Sequence, residues 1–123
     1  MNNEQKALTH LFATIGATTG RGGRVTRVST TATIHDKGLA VVGDIVTYDD
    51  GTEATIIDGA GFAATWADKP VALVGSRLSN GDRITAAQHD FGITVHEGEQ
   101  IPGLFDPAWT PLRDPAHEGE EHA

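Results

Sequence analysis

The pattern of apolar positions changes character at Gly16. Before it, four large apolar residues recur at the spacing of one helical face: Leu8, Leu11, Phe12 and Ile15. With Asn2 or Asn3 as its cap, this spacing predicts a short helix in an N-terminal segment, residues 1–14. After Gly16, runs of Thr, Val, Ile and Ala are interrupted by Gly- and Asp-containing turns about every ten residues, which predicts β-structure.

Two stretches of the β-rich region repeat each other. Residues 34–44 read IHDKGLAVVGD, and residues 66–76 read WADKPVALVGS. Each copy predicts a hairpin, with its tight turn at His35-Asp36 in the first and at Ala67-Asp68 in the second. Similarity at a fixed period of roughly 20 to 50 residues is typical of stacked or radially arranged units.

The flanks of these two copies supply a third copy that is divided between them. Residues 15–25 match the glycine-rich loop end of a copy, and residues 94–103 match the hairpin turn and its return. Aligning the second piece from its first residue places His96 with His35, whereas aligning it from its last residue places His96 with Asp36. The sequence leaves both alignments open.

Three such hairpins are expected to assemble around one axis, because an isolated hairpin is only marginally stable. Small residues let the arms converge: Ala40, Ala54, Ala63 and Ala72. Glycines in the loops permit positive-φ turns where three chains crowd together. The sequence therefore predicts a mostly β, single-domain cone of three pseudo-threefold β-hairpins over residues 15–103.

The last segment, residues 104–123, predicts an extended, Pro-rich acidic tail. Its prolines at 107, 111 and 115 disfavour both helix and sheet. Three apolar residues are expected to anchor the start of this tail on the domain: Leu104, Phe105 and Trp109.

Composition and charge narrow the classes of function. The chain has 123 residues, no cysteine, six histidines and a net charge of −8, so any metal would depend on His and carboxylate ligands alone. An acidic chain without a basic stripe is poorly suited to nucleic acid. The first residues lack the features of a secretory signal, and no run reaches the roughly 18 apolar residues of a spanning helix. We expect cytoplasmic folding and, for any secreted form, a leaderless route.

Several motifs occur in a fixed order: TTGRGGRV at 18–25, Val42-Gly43-Asp44, Pro70-Val71-Ala72-Leu73 and Val74-Gly75-Ser76. This ordered set resembles the PAAR-repeat proteins, which form the conical tips of type VI secretion spikes. The tetrapeptide at 70–73 stands where that family has Pro-Ala-Ala-Arg, and the resemblance covers residues 15–103.

The resemblance implies a non-enzymatic protein that is a monomer alone. Such a protein caps a trimeric valine-glycine-repeat spike, sharpens it for membrane puncture with transient membrane contact, and carries or recruits toxin effectors. A small enzyme or ligand-binding β-domain is the rival reading. The sequence does not distinguish a type VI secretion spike tip from an equivalent tip on a phage-like contractile tail.

Family tips commonly hold zinc near the apex with His and Cys of the glycine-rich loops. Near those positions this chain has Arg21, Tyr48 and Asn80, none of which is a good zinc ligand. We expect no zinc and no other cofactor. The apex is expected to be held by hydrogen bonds from Arg21, Tyr48, Asp49, Asp50, Asn80 and Asp82.

Other candidate sites favour structural interpretations. The histidines tested for metal binding fit no compact ligand pattern: His35, His89, His96, His117 and His122. The loop at 20–23 lacks the lysine and helix of a phosphate-binding loop. The adjacent acids Asp49 and Asp50 lie in another polar loop and indicate a solvated turn, so no catalytic residue is assigned. Trp66 and Trp109 are candidate partner contacts if exposed at one end of the cone, and buried anchors otherwise.

Overall fold

The computed structural model describes residues 7–109, whose regular secondary structure consists almost entirely of short β-strands joined by turns. A 3-10 turn spans Gly61–Ala63. In chain order the strands are β1 (Ala7–Leu11), β2 (Thr18–Thr19), β3 (Arg24–Arg27), β4 (Thr33–Ile34), β5 (Lys37–Gly38), β6 (Ile45–Thr47), β7 (Glu53–Thr55), β8 (Thr65–Trp66), β9 (Lys69–Pro70), β10 (Ile84–Ala86) and β11 (Gly92–His96).

The body of the cone is an antiparallel sheet that closes on itself. Five strands pair in the order β10-β2-β3-β6-β7. The chain then joins the two outer strands, because Leu78 bridges to Ile56 beside β7 and Arg77 bridges to Arg83 beside β10. Closure removes the free strand edges that would otherwise invite pairing with another chain.

Three equivalent glycines mark the three repeats. Gly16, Gly43 and Gly75 have φ angles of 95°, 100° and 105°. Such angles favour glycine, which carries no Cβ. In each repeat the glycine N–H donates to a carbonyl of the returning strand, at Val25, Ile56 and Ile84 respectively. The predicted match of residues 15–25 to the other two copies is therefore confirmed.

A ring of backbone hydrogen bonds lies where the three repeats meet. Ala13 donates to Ala72, Ala72 to Ala40 and Ala40 to Ala13, each at 2.9 Å. All three residues are 0% exposed. Because three backbones approach this closely, alanine fits where a larger side chain would overpack the contact. This ring defines the pseudo-threefold axis.

The core is small and aliphatic. Around the axis alanines it contains Val25, Val46, Ala54, Ile56, Leu78 and Ile84. Of the alanines predicted to point inward, Ala63 is exposed, because it lies in the 3-10 turn. Ala60, which precedes that turn, is buried.

Two of the three wings, as we call the hairpins that precede the ring, have the predicted tight turns. β4 pairs with β5 around His35 and Asp36, and β8 pairs with β9 around Ala67 and Asp68. All four turn residues have positive φ angles, between 49° and 67°. This is the geometry of two-residue type I′ turns, which match the twist of paired strands.

The third wing is built from opposite ends of the described chain, which corrects the predicted N-terminal helix. Residues 7–11 form β1 and pair with β11, from Ala7 opposite His96 to Leu11 opposite Gly92. The helix-like spacing of the apolar residues is overridden by this pairing, because β11 needs a partner strand that immediately precedes Ala13.

The same pairing corrects the predicted return arm at residues 97–103. That segment instead turns away, with the Glu99 N–H donating to the His96 carbonyl. His96 lies at the far end of a longer ribbon, beyond the register of the tight turns. It is therefore equivalent to neither His35 nor Asp36, and both alignments left open by the sequence are wrong.

The described part of the C-terminal tail is not extended but forms successive turns. Leu104 makes a parallel bridge to Gly59, and the Phe105 N–H donates to the Gly59 carbonyl at 2.7 Å. The predicted anchoring of Leu104 and Phe105 is thus confirmed. The remainder of the predicted tail, and the first six residues of the chain, lie outside the described residues. Within residues 7–109, no helix has the length and apolar character to cross a membrane.

Candidate functional site

Three glycine-containing loops gather at one end of the cone, which we call the apex: residues 19–23, 48–52 and 78–82. In each loop the first residue donates its N–H to the carbonyl of the last, at 2.9 Å. Gly22, Gly51 and Gly81 occupy equivalent positions with φ angles of 89°, 87° and 90°. Because the three loops share this hydrogen bond and this positive-φ glycine, the same end of each hairpin lies at the apex.

The second hairpin is longer than the other two. It runs from Gly43 to Ile56, because β6 and β7 add residue pairs before the loop. Tyr48 therefore folds over the first loop. A Cβ on Gly23 would lie 2.8 Å from the Tyr48 ring, so glycine is required beneath it.

Asp82 lies at the centre of the apex and is only 5% exposed. Its carboxylate accepts a hydrogen bond of 2.6 Å from the Tyr48 hydroxyl. It also accepts backbone N–H bonds from Arg83 at 2.8 Å and from Arg21 at 3.3 Å. One side chain of the third loop thereby contacts the first and second loops.

A second set of hydrogen bonds surrounds this centre. Arg21 Nη1 donates to the Asn80 carbonyl at 3.1 Å, and Asn80 Nδ2 donates to the Tyr48 hydroxyl at 3.1 Å. The Asn80 Oδ1 accepts the Asp82 N–H at 3.0 Å. Of the residues predicted for the apex, these four are joined directly.

Asp49 and Asp50 are placed differently from the other predicted apex residues. Both line an open depression of about 380 Å³ between the loops. Asp50 Oδ1 accepts bonds from the Thr52 hydroxyl at 2.7 Å and the Thr52 N–H at 3.0 Å. Hydrogen bonds from Thr52 hold the pKa of Asp50 below its ordinary value. Its bonding thus stabilises its own turn.

The electrostatics of the apex favour an ionised Asp82 and a neutral Tyr48. Burial raises the pKa of Asp82, but hydrogen bonds outweigh burial and hold the pKa below its ordinary value. The donors are the side chains of Thr19 and Tyr48 and the N–H groups of Arg83 and Arg21. Burial and the bond to Asp82 raise the pKa of Tyr48. Tyr48 therefore acts as a donor at neutral pH.

The donor set at the apex does not fit a zinc ion. Arg21 is a cation, the Tyr48 hydroxyl donates to Asp82, and Asn80 Nδ2 donates to Tyr48. Zinc takes thiolate, imidazole and carboxylate ligands in a tetrahedron. Among residues 7–109, no three His, Cys, Asp or Glu side chains are grouped to hold a metal ion.

The described histidines lie apart from the apex in aromatic or turn positions. The Phe91 ring lies between His35, at a centroid distance of 5.3 Å, and His89, at 5.9 Å. His89 Nδ1 also accepts the Phe91 N–H at 3.0 Å. His96 closes the third wing, whereas His117 and His122 lie outside the described residues.

The wings occupy the other end of the cone, because the strands run from the alanine ring to the apex. Equivalent bonds hold each wing, from Phe12 to Phe91, Leu39 to Ala32 and Val71 to Ala64. The third repeat thus has an aromatic residue where the other two have alanine. Phe91 is 54% exposed. The sequence alignment did not reveal this difference, because it did not identify β1 as the partner strand.

The two tryptophans are half-buried. Trp66 lies on β8 in the second wing, and the Trp109 ring packs on Gly103. The more exposed large apolar residues of the described part are Leu8, Phe62 and Phe91. The sequence did not single out any of these three as a partner contact, and Leu8 was predicted to lie on the apolar face of a helix.

An ion pair between buried Asp58 and half-exposed Arg77 attaches the C-terminal turns to the body. Asp58 is 0% exposed and accepts Arg77 Nε at 2.6 Å and the Arg77 N–H at 2.9 Å. Arg77 Nη2 continues to the Phe105 carbonyl at 2.8 Å. This pair was not predictable from the sequence, because no local pattern marks Asp58 as buried.

The described residues thus form a small all-β cone in which one chain supplies three similar repeats. A family model described as PAAR motif matches residues 15–86, more than half of the chain. The chain belongs to the PAAR-repeat family, the spike-tip proteins of type VI secretion systems. Comparison with curated proteins gives no match, and comparison with solved structures gives none either.

The matched residues contain the three apex loops and the two tight-turned wings. The match begins after β1 and ends before β11, so the third wing lies outside it. The apex can therefore be compared with the family, whereas the third wing is a feature that the structure alone reveals.

Proposed function

We propose that this chain is a non-enzymatic tip that caps a trimeric valine-glycine-repeat spike protein and sharpens it for membrane puncture. The observation that carries the proposal is the ring joining Ala13, Ala40 and Ala72, because it gives one chain three near-equivalent sides. A partner with three identical subunits can meet three such sides in the same way. Membership of a spike-tip family supports this role.

The docking face in this proposal is the wing end, opposite the apex. Apolar residues occupy the same register position in all three wings: Ile34, Trp66 and Ile93. Specific interfaces bury about 800 Å² on each partner, so we expect all three wings to take part. Trp66 is a candidate contact there, and Trp109, whose ring packs on Gly103, is a second candidate contact.

The proposal assigns the chain a structural rather than a chemical task. The family is structural, and the polar side chains joined at the apex are used in bonds between loops. A small enzyme would need a reactive group where one repeat departs from the others, and the departure at Phe91 is apolar. Recruitment of a toxin effector, cytoplasmic assembly and export without a signal peptide belong to the same proposal.

Co-purification with the cognate spike trimer tests the docking face. Phe91→Asp places a charge at the wing end, and Thr18→Asp places the same charge on the exposed flank of the cone. We expect the wild type and Thr18→Asp to form the complex, and Phe91→Asp to weaken it about tenfold or more, which corresponds to about 1.4 kcal/mol. Failure of the wild type to bind any spike of the same cell would contradict the capping role. Equal binding by both variants would contradict the assigned face.

A further inference from the structure

The apex needs a tie between its loops that the apolar core does not supply. The loop residues of the apex are largely exposed or half-buried, and each loop is closed by a backbone bond between its first and last residues. Three exposed turns that meet end to end have little apolar area to hold them together. The polar contacts at Asp82 are therefore the strongest candidates for that tie.

Hydrogen-bond donors surround the Asp82 carboxylate in the way that ligands surround a metal ion, except that the central group here is an anion. The first loop supplies the Arg21 N–H at 3.3 Å, and the second loop supplies the Tyr48 hydroxyl at 2.6 Å. The third donor is the adjoining N–H of Arg83. A carboxylate offers about four lone-pair sites, so these three donors use most of its capacity.

Tyr48 reaches Asp82 because of the extra length of the second hairpin. The added residue pairs of β6 and β7 carry the Tyr48 ring over Gly23, and its hydroxyl then lies 2.6 Å from the carboxylate. Asn80 donates to the same hydroxyl, so Tyr48 is oriented from two sides. The hydrogen bond from Tyr48 to Asp82 therefore depends both on the added residue pairs of the second hairpin and on the glycine at position 23.

We propose that the Asp82 carboxylate is the cross-link of the apex, acting as an anion surrounded by donors where other members of the family place a cation surrounded by ligands. The apex then needs no metal for its stability. Bonds to a charged group in a buried site are stronger than those between neutral groups, which suits a single residue to this task. The proposal concerns the apex alone and stands whether or not the wing end docks on a spike.

Thermal unfolding of tag-free protein tests the cross-link. We expect Asp82→Asn to lower the melting temperature by about 5 °C or more, and Asp49→Asn, the same change on an exposed apex carboxylate, to shift it by less than about 1 °C. Neither a chelator nor added zinc should shift the wild type by more than about 1 °C. An unchanged melting temperature for Asp82→Asn overturns the proposal. Near-stoichiometric zinc in the wild type, or a loss of stability with chelator, also overturns it.

The variant Tyr48→Phe is a second test of the cross-link, because it keeps the ring on Gly23 and removes only the hydroxyl. We expect it to lower the melting temperature, and to have a smaller effect in the Asp82→Asn background, where the bond to the Asp82 carboxylate is already gone and only the bond from Asn80 is left to lose. No change in the single variant overturns the cross-link, as does an undiminished effect in the double variant. Tyr48→Phe should still bind the spike trimer, so that failure of docking and failure of the apex are separated.

Discussion

A buried carboxylate that remains ionised has to be surrounded by donors, and Asp82 meets this need with groups from separate loops. Side chains act in the same way at the repeat motifs. Asp44 Oδ2 accepts the Val41 N–H at 2.9 Å, and Ser76 Oγ accepts the Leu73 N–H at 2.9 Å. In these two repeats the residue after the repeat glycine is polar because its side chain accepts a backbone N–H and so caps the turn.

We predict that the stabilising effect of Asp82 depends on pH. The pKa of folded Asp82 lies below its ordinary value, which is about 3.9 in an unfolded chain. Its contribution is therefore fully present above about pH 4 and is lost as the pH falls through the folded pKa. Urea unfolding of the wild type and Asp82→Asn from pH 7 to pH 3 measures it. The difference in unfolding free energy should be greatest near neutral pH and shrink in acid, and a constant difference would contradict the assignment.

Among the elements, the third wing differs most from its equivalents. Its two strands come from distant parts of the chain, and five residue pairs replace the two pairs of each tight hairpin. The ribbon carries Leu8, which is 67% exposed, and it begins beside Phe91. The two tight hairpins resemble each other closely, so the side of the wing end that carries the third wing differs from the other two sides.

Hydrogen exchange distinguishes the β1–β11 ribbon from the helix that the apolar spacing predicts. Antiparallel pairs alternate between bonded and non-bonded, and Phe12 donates to Phe91 in a bonded pair. Ile93 and Val95, two and four residues after Phe91, therefore fall in bonded pairs, and their amides should exchange slowly with solvent. Thr94 falls in a non-bonded pair, and its amide should exchange fast. Consecutive slow amides from residue 7 to residue 11 would indicate a helix and contradict the ribbon.

How far the sequence predicts the fold depends on the range of the interactions. The turns at His35-Asp36 and Ala67-Asp68 were predictable, because turn chemistry and the repeat are local. The pairing of Ala7–Leu11 with Gly92–His96 was not, since a strand's partner across the whole chain leaves no local mark. The repeat was also enough to place Arg21, Tyr48 and Asn80 near one another. It did not identify Asp82 as the centre, because burial distinguishes it from Asp49 and Asp50.

On the scale of the whole molecule, the alanine ring and the closed sheet make one chain nearly threefold. A single copy can therefore match a trimer, whereas a partner with one binding site would leave two sides unused. The third wing breaks this equivalence at one side, so the three relative orientations of this chain in the proposed complex with a trimer would differ from one another.

The stoichiometry of the complex tests this account most directly. Size-exclusion chromatography with light scattering should show the free protein as a monomer, and its complex with the spike as one chain per three spike subunits. Three chains per trimer would mean that each subunit binds its own copy, and the claim that one chain supplies all three sides would be wrong.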